Sequence, residues 1–376
     1  MINFLDKKIM LIATTDNMIW QFLIPHITDL TNMGAHVDCF CAKTGFWFDE
    51  LKDKYHLNMY EINFARSPFR FRNIKAYNAL KKYQRQNYYD LIYCQQPVGG
   101  MMGRLVGHKF HIPVIYTAHG FFFFKGNNKI KNLIFKTAEK FLSKYTDVLI
   151  TMSNEDYSAI KDWKVKYKHL IHGIGLDIDK YDNSTFDKSQ LREGLHISPD
   201  DKVILTVAEF IKRKNYKAML KCFAKLHSYH RNTKYILCGQ GKLLDKMKRL
   251  AHKLDLDDST IFLGYRKDIN KIMQISDIFL LLSKHEGLTM AIMEAMHFGL
   301  PVVTSNVRGN KDLIDDKGGF VVDKNDIDSQ VQALSTLLND ADLRKRMGDY
   351  NKQKIKDYYI DEIRKELKQI YNEVEV

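Results

Sequence analysis

A chain of 376 residues, 45% apolar and 27% charged, has an ordinary globular composition and is long enough for more than one hydrophobic core. No stretch approaches the roughly 20 uninterrupted apolar residues of a bilayer span, and the segment from Met1 to Lys8 lacks the cationic-then-apolar order of a signal peptide, so a cytoplasmic protein is expected. The formal charge of +13 calls for an acidic partner without choosing among nucleic acid, anionic lipid and phosphorylated substrates, while Cys39, Cys41, Cys94, Cys222 and Cys238 show no metal spacing and read as buried reduced thiols.

Short apolar, β-branched runs at residues 9–14, 36–41, 90–93, 114–117 and 148–151 alternate with amphipathic stretches of helical length. A second series begins at Val203 and continues at residues 235–238, 261–263, 278–282, 302–304 and 319–322. This alternation predicts βαβ units and parallel sheets buried on both faces. The glycine-punctuated run His172-Gly173-Ile174-Gly175-Leu176-Asp177 and the polar segment after it place a linker near residues 172–185. We therefore expect an α/β protein with two doubly wound, Rossmann-like domains, residues 1–180 and 181–355, and a C-terminal helix at 356–376 packing back on the first domain. Ligands of such sheets bind at the carboxyl ends of the strands, which directs attention to the cleft between the domains.

In the first half, the loop Thr14-Thr15-Asp16-Asn17-Met18 offers Asp16 and Asn17 as contacts for an acceptor or sugar, with helix capping as the simpler account. Cys94-Gln95-Gln96-Pro97-Val98-Gly99-Gly100 supplies the amides of Gln95 and Gln96 and a glycine, Gly99, for close backbone approach; a packing turn is the alternative. His119, after a strand and before Gly120, stands where strand-end loops carry function, although a lone histidine can equally be structural. Phe121-Phe122-Phe123-Phe124-Lys125 then leads into Lys129, Lys131, Lys136, Lys140 and Lys144, with Glu139 the only acid from Phe121 to Lys144. Ile130, Leu133, Ile134, Phe135, Phe141 and Leu142 interleave with those lysines, and Arg66, Phe69, Arg70, Phe71, Arg72 and Lys75 repeat the mixture. Aromatic area with cations suits an anionic membrane surface, core packing being the competing account.

In the second half, Lys212, Arg213 and Lys214 form a basic turn after the first strand, which is either a solvated turn or an anion contact. Gly264, Tyr265 and Arg266 end a later strand. The densest cluster carries Glu286, Gly287, Leu288 and Thr289 on a loop, then Glu294 in the second turn of a helix that Gly299 and Pro301 close. Helical side chains lean toward the amino terminus, so Glu294 is expected to aim back at the loop of Glu286. A helix start suits phosphate, and the two carboxylates suit hydroxyls of ribose and hexose. Met290, Ile292, Met293 and Met296 surround Glu294 with apolar bulk that a casual surface carboxylate would not have.

The Glu-x7-Glu spacing of Glu286 and Glu294, ahead of Gly299-Leu300-Pro301-Val302-Val303, resembles the signature of the retaining GT-B glycosyltransferases of family 4, and the likeness runs from Ile9 to about Val322. Residues 94–100 resemble a bacterial capsule and exopolysaccharide assembly branch of that family, where this loop faces the acceptor. The resemblance implies a GT-B fold, with the first domain binding acceptor and the second the nucleotide sugar. It implies that Glu286 contacts the transferred sugar, Glu294 the ribose, and Lys214, helped by Arg213, the diphosphate. Gly264, Tyr265 and Arg266 would hold the nucleobase, and His119 would lie at the reacting centre. Glu209 departs from the pattern by occupying the position of a family arginine, and the first loop lacks the glycine pair of many relatives.

The implied donor is a UDP-sugar and the implied acceptor a lipid-linked saccharide, at the inner face of the cell membrane. No Asp-x-Asp metal site in a strand-end context, no nucleotide-triphosphate loop and no nucleophile–base pair are found, so metal-independent front-face transfer without a cofactor is expected. A sugar-nucleotide epimerase and a noncatalytic partner subunit are the alternatives. Nucleic-acid binding has no recognisable module behind it, and the sequence leaves the oligomeric state open.

Overall fold

Among the residues described by the computed structural model, 4–45, 47–65, 67–181 and 185–374, every strand ladder is parallel. The chain folds into two compact units, one of Met1–Gly175 with Ile360–Val376 and the other of Leu176–Tyr359.

The first unit holds β1 (Lys8–Thr15), β2 (His36–Ala42), β3 (Asn58–Glu61), β4 (Leu91–Gln95), β5 (Val114–Ala118), β6 (Val148–Thr151) and β7 (Tyr167–Leu170) in the order β3-β2-β1-β4-β5-β6-β7. Its crossovers include helices α1 (Ile24–Asn32), α2 (Arg72–Asn87), α3 (Pro97–Phe110) and α4 (Lys129–Leu142). The two-residue period of a strand sends Ile9, Leu11 and Ala13 into one core with Cys39 and Cys41, and Met10 and Ile12 into the opposite core with Phe40 and Cys94. Both faces are thereby covered, and the five cysteines are free and buried, as their strand and helix positions predict.

The sequence reading missed β3 and β7. Both are edge strands, only partly buried, and Asn58-Met59-Tyr60-Glu61 and Tyr167-Lys168-His169-Leu170 contain no apolar run. Their strand character comes from pairing with β2 and β6.

The second unit orders β8 (Lys202–Val207), β9 (Thr233–Cys238), β10 (Thr260–Gly264), β11 (Ile278–Leu281), β12 (Val302–Ser305) and β13 (Gly319–Val322) as β10-β9-β8-β11-β12-β13. Helix α5 (Met290–His297) follows β11. Strand order reverses beside β1 and β4 in the first sheet and beside β8 and β11 in the second, and a crevice opens outside the strand ends at such a switch point.

The units divide at Gly175/Leu176 and Tyr359/Ile360, a few residues from the expected 180 and 355. Packing sets both points. Ile171 and Ile174 belong to the first unit's core, whereas Leu176, Ile355 and Tyr358 belong to the second's. Helix α6 (Ile360–Tyr371) then lays Ile363, Leu367, Ile370 and Tyr371 into the first core, a helical spacing. Arg364 of α6 grips Asp29 of α1 through two bonds of 2.7 Å. Gly175 has a φ of +95°, and a Cβ there would lie 2.7 Å from the Ile360 backbone, so only glycine fits.

Candidate functional site

In the second unit, the loops after β8 and β11 meet. Lys214 closes the short turn Lys212–Lys214, and its Nζ lies 2.7 Å from Glu286 Oε1, while Arg213 donates to the other carboxylate oxygen. The backbone fixes this meeting, because Lys284 N donates to Arg213 O at 2.8 Å and Asn215 Nδ2 to Leu282 O at 3.0 Å. Lys214 and Glu286 are buried, and Arg213 is about a third exposed. Burial raises the Glu286 pKa, but Lys214 and Arg213 outweigh it and hold the carboxyl below its ordinary range. The Lys214 pKa is lowered, first by burial and then by the charge of Arg213, which together outweigh the raising effect of Glu286.

A third loop supports this pair. Arg308 Nε donates to Glu286 O at 3.2 Å, and Gly309, at a φ of +79°, packs so closely that a Cβ would lie 1.8 Å from Gly287 O. Thr289 precedes α5 and gives its hydroxyl to Asn310 Oδ1 at 2.7 Å, while Asn310 Nδ2 reaches Thr304 Oγ1 at 2.8 Å. Leu288 packs against the core. Arg308 and Asn310 escaped the sequence reading because they come one strand later and carry no spacing signal of their own.

Glu294 takes a different partner set from Glu286. Tyr181 Oη donates to Glu294 Oε1 at 2.9 Å, and the Tyr181 ring stacks on His297 with centroids 5.8 Å apart. Glu294 keeps some accessible surface, yet protein crowds its carboxyl, and burial pushes its pKa up to about 7 against the lowering effect of Tyr181. Tyr181 lies more than a hundred residues away in the sequence, where nothing marked it as a partner.

Gly264 has a φ of +64° with open space where a Cβ would project, and Tyr265 is 61% exposed. Arg266 is bound by Asp268 through bonds of 2.7 and 2.6 Å. Glu209 is exposed, in a loop held by Phe210 N donating to Gln240 O at 2.7 Å.

In the first unit, the loop after β4 packs on Thr14 near the end of β1. The Thr14 N–H donates to Gln96 Oε1 at 3.1 Å, and the Thr14 hydroxyl accepts from Gly99 N at 3.3 Å. Gln96 sits at a φ of +63° immediately before α3, and its side chain and backbone both serve to shape the loop. Asp16 is buried and accepts from Asn17 N at 2.8 Å, Thr44 N at 3.1 Å and the Thr44 hydroxyl, so its carboxylate ties together the loops after β1 and β2. Asn17 is exposed.

His119 Nε2 lies 2.6 Å from Oε1 of buried Gln95, and with that oxygen as acceptor the proton resides on Nε2. Burial pushes the His119 pKa down to about 3, leaving a neutral imidazole, a hydrogen-bonding group rather than a cation at neutral pH. Among the described residues no group of three or more His, Cys, Asp or Glu side chains could hold a metal ion.

Residues 187–354 match the model of the family described as Glycosyl transferases group 1, and residues 8–153 match that of Glycosyl transferase 4-like. The chain is 30% identical to EpsD of Bacillus subtilis (strain 168), which is named as a glycosyltransferase, over 92% of this chain and 91% of that one. It is 29% identical to the UDP-Gal:alpha-D-GlcNAc-diphosphoundecaprenol alpha-1,3-galactosyltransferase of Escherichia coli, over 88% and 90% of the two chains. The fold is similar to that of Alr3699/HepE of Anabaena, solved with UDP and glucose, at a TM-score of 0.80 and 17% identity over 98% of this chain and all of that one.

Proposed function

The chain belongs to the GT-B glycosyltransferases of family 4, and on that premise we propose that it moves a sugar from a UDP-sugar to a lipid-linked saccharide with retention of anomeric configuration. The observation that carries this reading is the placement of Lys214 and Arg213 on the carboxylate of Glu286 at the switch point of the second sheet. Two cations beside one acid leave local positive charge for a diphosphate, and the same acid can accept hydroxyls of the hexose. Glu294, with Tyr181 behind it, is assigned to the ribose, and Gly264 with Tyr265 to the nucleobase.

In the proposed step the bond from the anomeric carbon to the diphosphate oxygen breaks as the acceptor hydroxyl attacks on the same face. The departing phosphate takes the acceptor's proton. Lys214 and Arg213 stabilise the charge that grows on that phosphate, a term worth several kcal/mol in preorganised sites. His119, neutral, is assigned a hydrogen bond to the sugar. The galactosyltransferase relative bears a UDP donor and a diphosphoundecaprenol acceptor in its name, which supports the donor and acceptor classes and, the acceptor being a lipid, the membrane face as the place of action.

The test is turnover of UDP-sugars with and without a diphosphoundecaprenol-linked saccharide, in buffer containing either EDTA or manganese. Slow donor hydrolysis that accelerates on adding acceptor, equal in both buffers and with the α-anomer retained from an α-donor, is expected. Conversion to an epimer without acceptor would make the protein an epimerase, and activity that needs manganese would remove the metal-free mechanism.

A further inference from the structure

We propose that the first unit docks on anionic membrane through the outer face of α4 together with Phe69, Phe71 and Ile74 at the start of α2. The sequence offered two separate basic and aromatic stretches. The structure joins them: the Phe135 ring lies 5.8 Å from Phe69 and 5.2 Å from Phe122, making one continuous surface from three segments. Arg66 lies outside the described residues.

Helix α4 has two faces of different fate. Glu139 and Leu142 are buried, and Phe135 on the same side is half-buried, packing on the core with part of its ring against Phe69 and Phe122 at the rim. Ile130, Leu133, Ile134 and Phe141 form the opposite stripe and are 69%, 69%, 49% and 52% exposed, with Phe69, Phe71 and Ile74 exposed beside them. At 3.6 residues per turn, Lys129, Lys136 and Lys140 fall along one flank of the stripe and Lys131 along the other, and all four are exposed. An apolar strip edged by cations is the arrangement of a helix lying in a lipid interface.

Charge settles which partner this face fits. Glu139, the only acid of α4, is withdrawn from the surface: its carboxylate lies 2.8 Å from Arg104 of α3, a fully buried guanidinium that sits 4.1 Å above the Tyr116 ring and gives Nε–H to Gly100 O. The outer face of α4 is therefore cationic and apolar without a carboxylate. Glu155, in the short helix Asn154–Ile160, accepts the backbone N–H of Lys125 at 2.8 Å. A second copy of this chain would set these lysines against each other, whereas anionic headgroups neutralise them while acyl chains take the stripe. No helix among the described residues is long and apolar enough to cross a membrane, so this contact would be peripheral.

The experiment is flotation of the full chain with phosphatidylcholine vesicles, with and without phosphatidylglycerol. One variant carries Lys129→Glu, Lys136→Glu and Lys140→Glu, and a second carries Ile130→Ser, Leu133→Ser and Ile134→Ser. A control carries Lys246→Glu and Lys248→Glu on the exposed surface of the second unit. Parent and control should float with phosphatidylglycerol only, and release as salt shortens the screening length to about 10 Å and below. Each α4 variant should lose at least tenfold in partition while keeping its thermal melt and its hydrolysis of soluble donor. Equal recovery of all proteins, or a parent dimer that the serine variant dissociates, would overturn the proposal. Loss of donor hydrolysis in the parent would instead strike the enzymatic reading and leave docking intact.

Discussion

Glu286 accepts from Lys214 at 2.7 Å and from Arg213 as well, so both cations assigned to the diphosphate are oriented by the acid assigned to the sugar. The three side chains act as one unit, and their contributions should not add.

Lys214→Ala should lower kcat by about 10²- to 10³-fold, the usual cost of losing one preorganised donor to a charge that grows in the transition state. UDP affinity should change less, because the charge is greater on the departing diphosphate than in the bound donor. Glu286→Gln should also lower kcat, through loosened Lys214 and Arg213, and the double variant should be little worse than either single one. Steady-state kinetics beside calorimetric UDP binding measures both quantities. Parent-like turnover in the two single variants would remove this site from the mechanism.

Glu294 predicts pH-dependent nucleotide binding. Its pKa of about 7 means the carboxyl is substantially protonated on the acid side of neutrality, and only the ionised form accepts two ribose hydroxyls. UDP affinity should therefore fall as pH drops through about 7, by up to tenfold per unit, and level off above it. Tyr181→Phe removes the hydrogen bond that lowers this pKa and should move the midpoint upward. Glu294→Gln should flatten the profile and cost about 10- to 150-fold at high pH, for a charge-assisted bond of roughly 1.5–3 kcal/mol. The stability term has the opposite sense: a raised carboxyl pKa stabilises the fold below the unfolded value, and this is lost as pH rises through about 7. A pH-independent UDP affinity in the parent would contradict the ribose assignment.

His26 predicts acid sensitivity confined to the first unit. It is buried, its Nε2 donates to Ile174 O at 2.9 Å, and burial pushes its pKa down to about 4. Its contribution to stability is present above the unfolded pKa of about 6.5 and is lost as pH falls toward about 4, reaching roughly 2 kcal/mol near pH 5. Trp20, Trp47 and Trp163, the three tryptophans of the chain, all lie in this unit, so tryptophan fluorescence during urea unfolding reports it alone. His26→Gln keeps an N–H donor and should reduce the loss between neutral pH and pH 5. An unchanged loss would assign acid sensitivity elsewhere.

The central strands were legible because full burial on both faces demands runs of apolar residues, which residues 9–14, 203–207 and 278–282 display without reference to anything distant. The edge strands were not, since one neighbour and partial exposure let Asn58, Glu61, Lys168 and His169 stand in them. The Glu-x7-Glu spacing was visible for the same local reason: loop, helix start and second helical turn are consecutive in the chain.

Sequence by itself determined the parallel α/β architecture and the two series of strands, because hydrophobic periodicity is written residue by residue. It also marked Glu286, Lys214 and His119 on loops at strand ends and Glu294 in the helix that follows the loop of Glu286. Tertiary structure decided what each one faces. Tyr181 reaches Glu294 across 113 residues and Arg213 reaches Glu286 across 73, and it was packing that turned Glu139 inward to Arg104 while leaving the lysines of α4 outside. The periodicity of a segment fixes which of its sides is apolar, but the partner of a buried charge is set by the neighbouring element, and desolvation makes that choice energetically decisive.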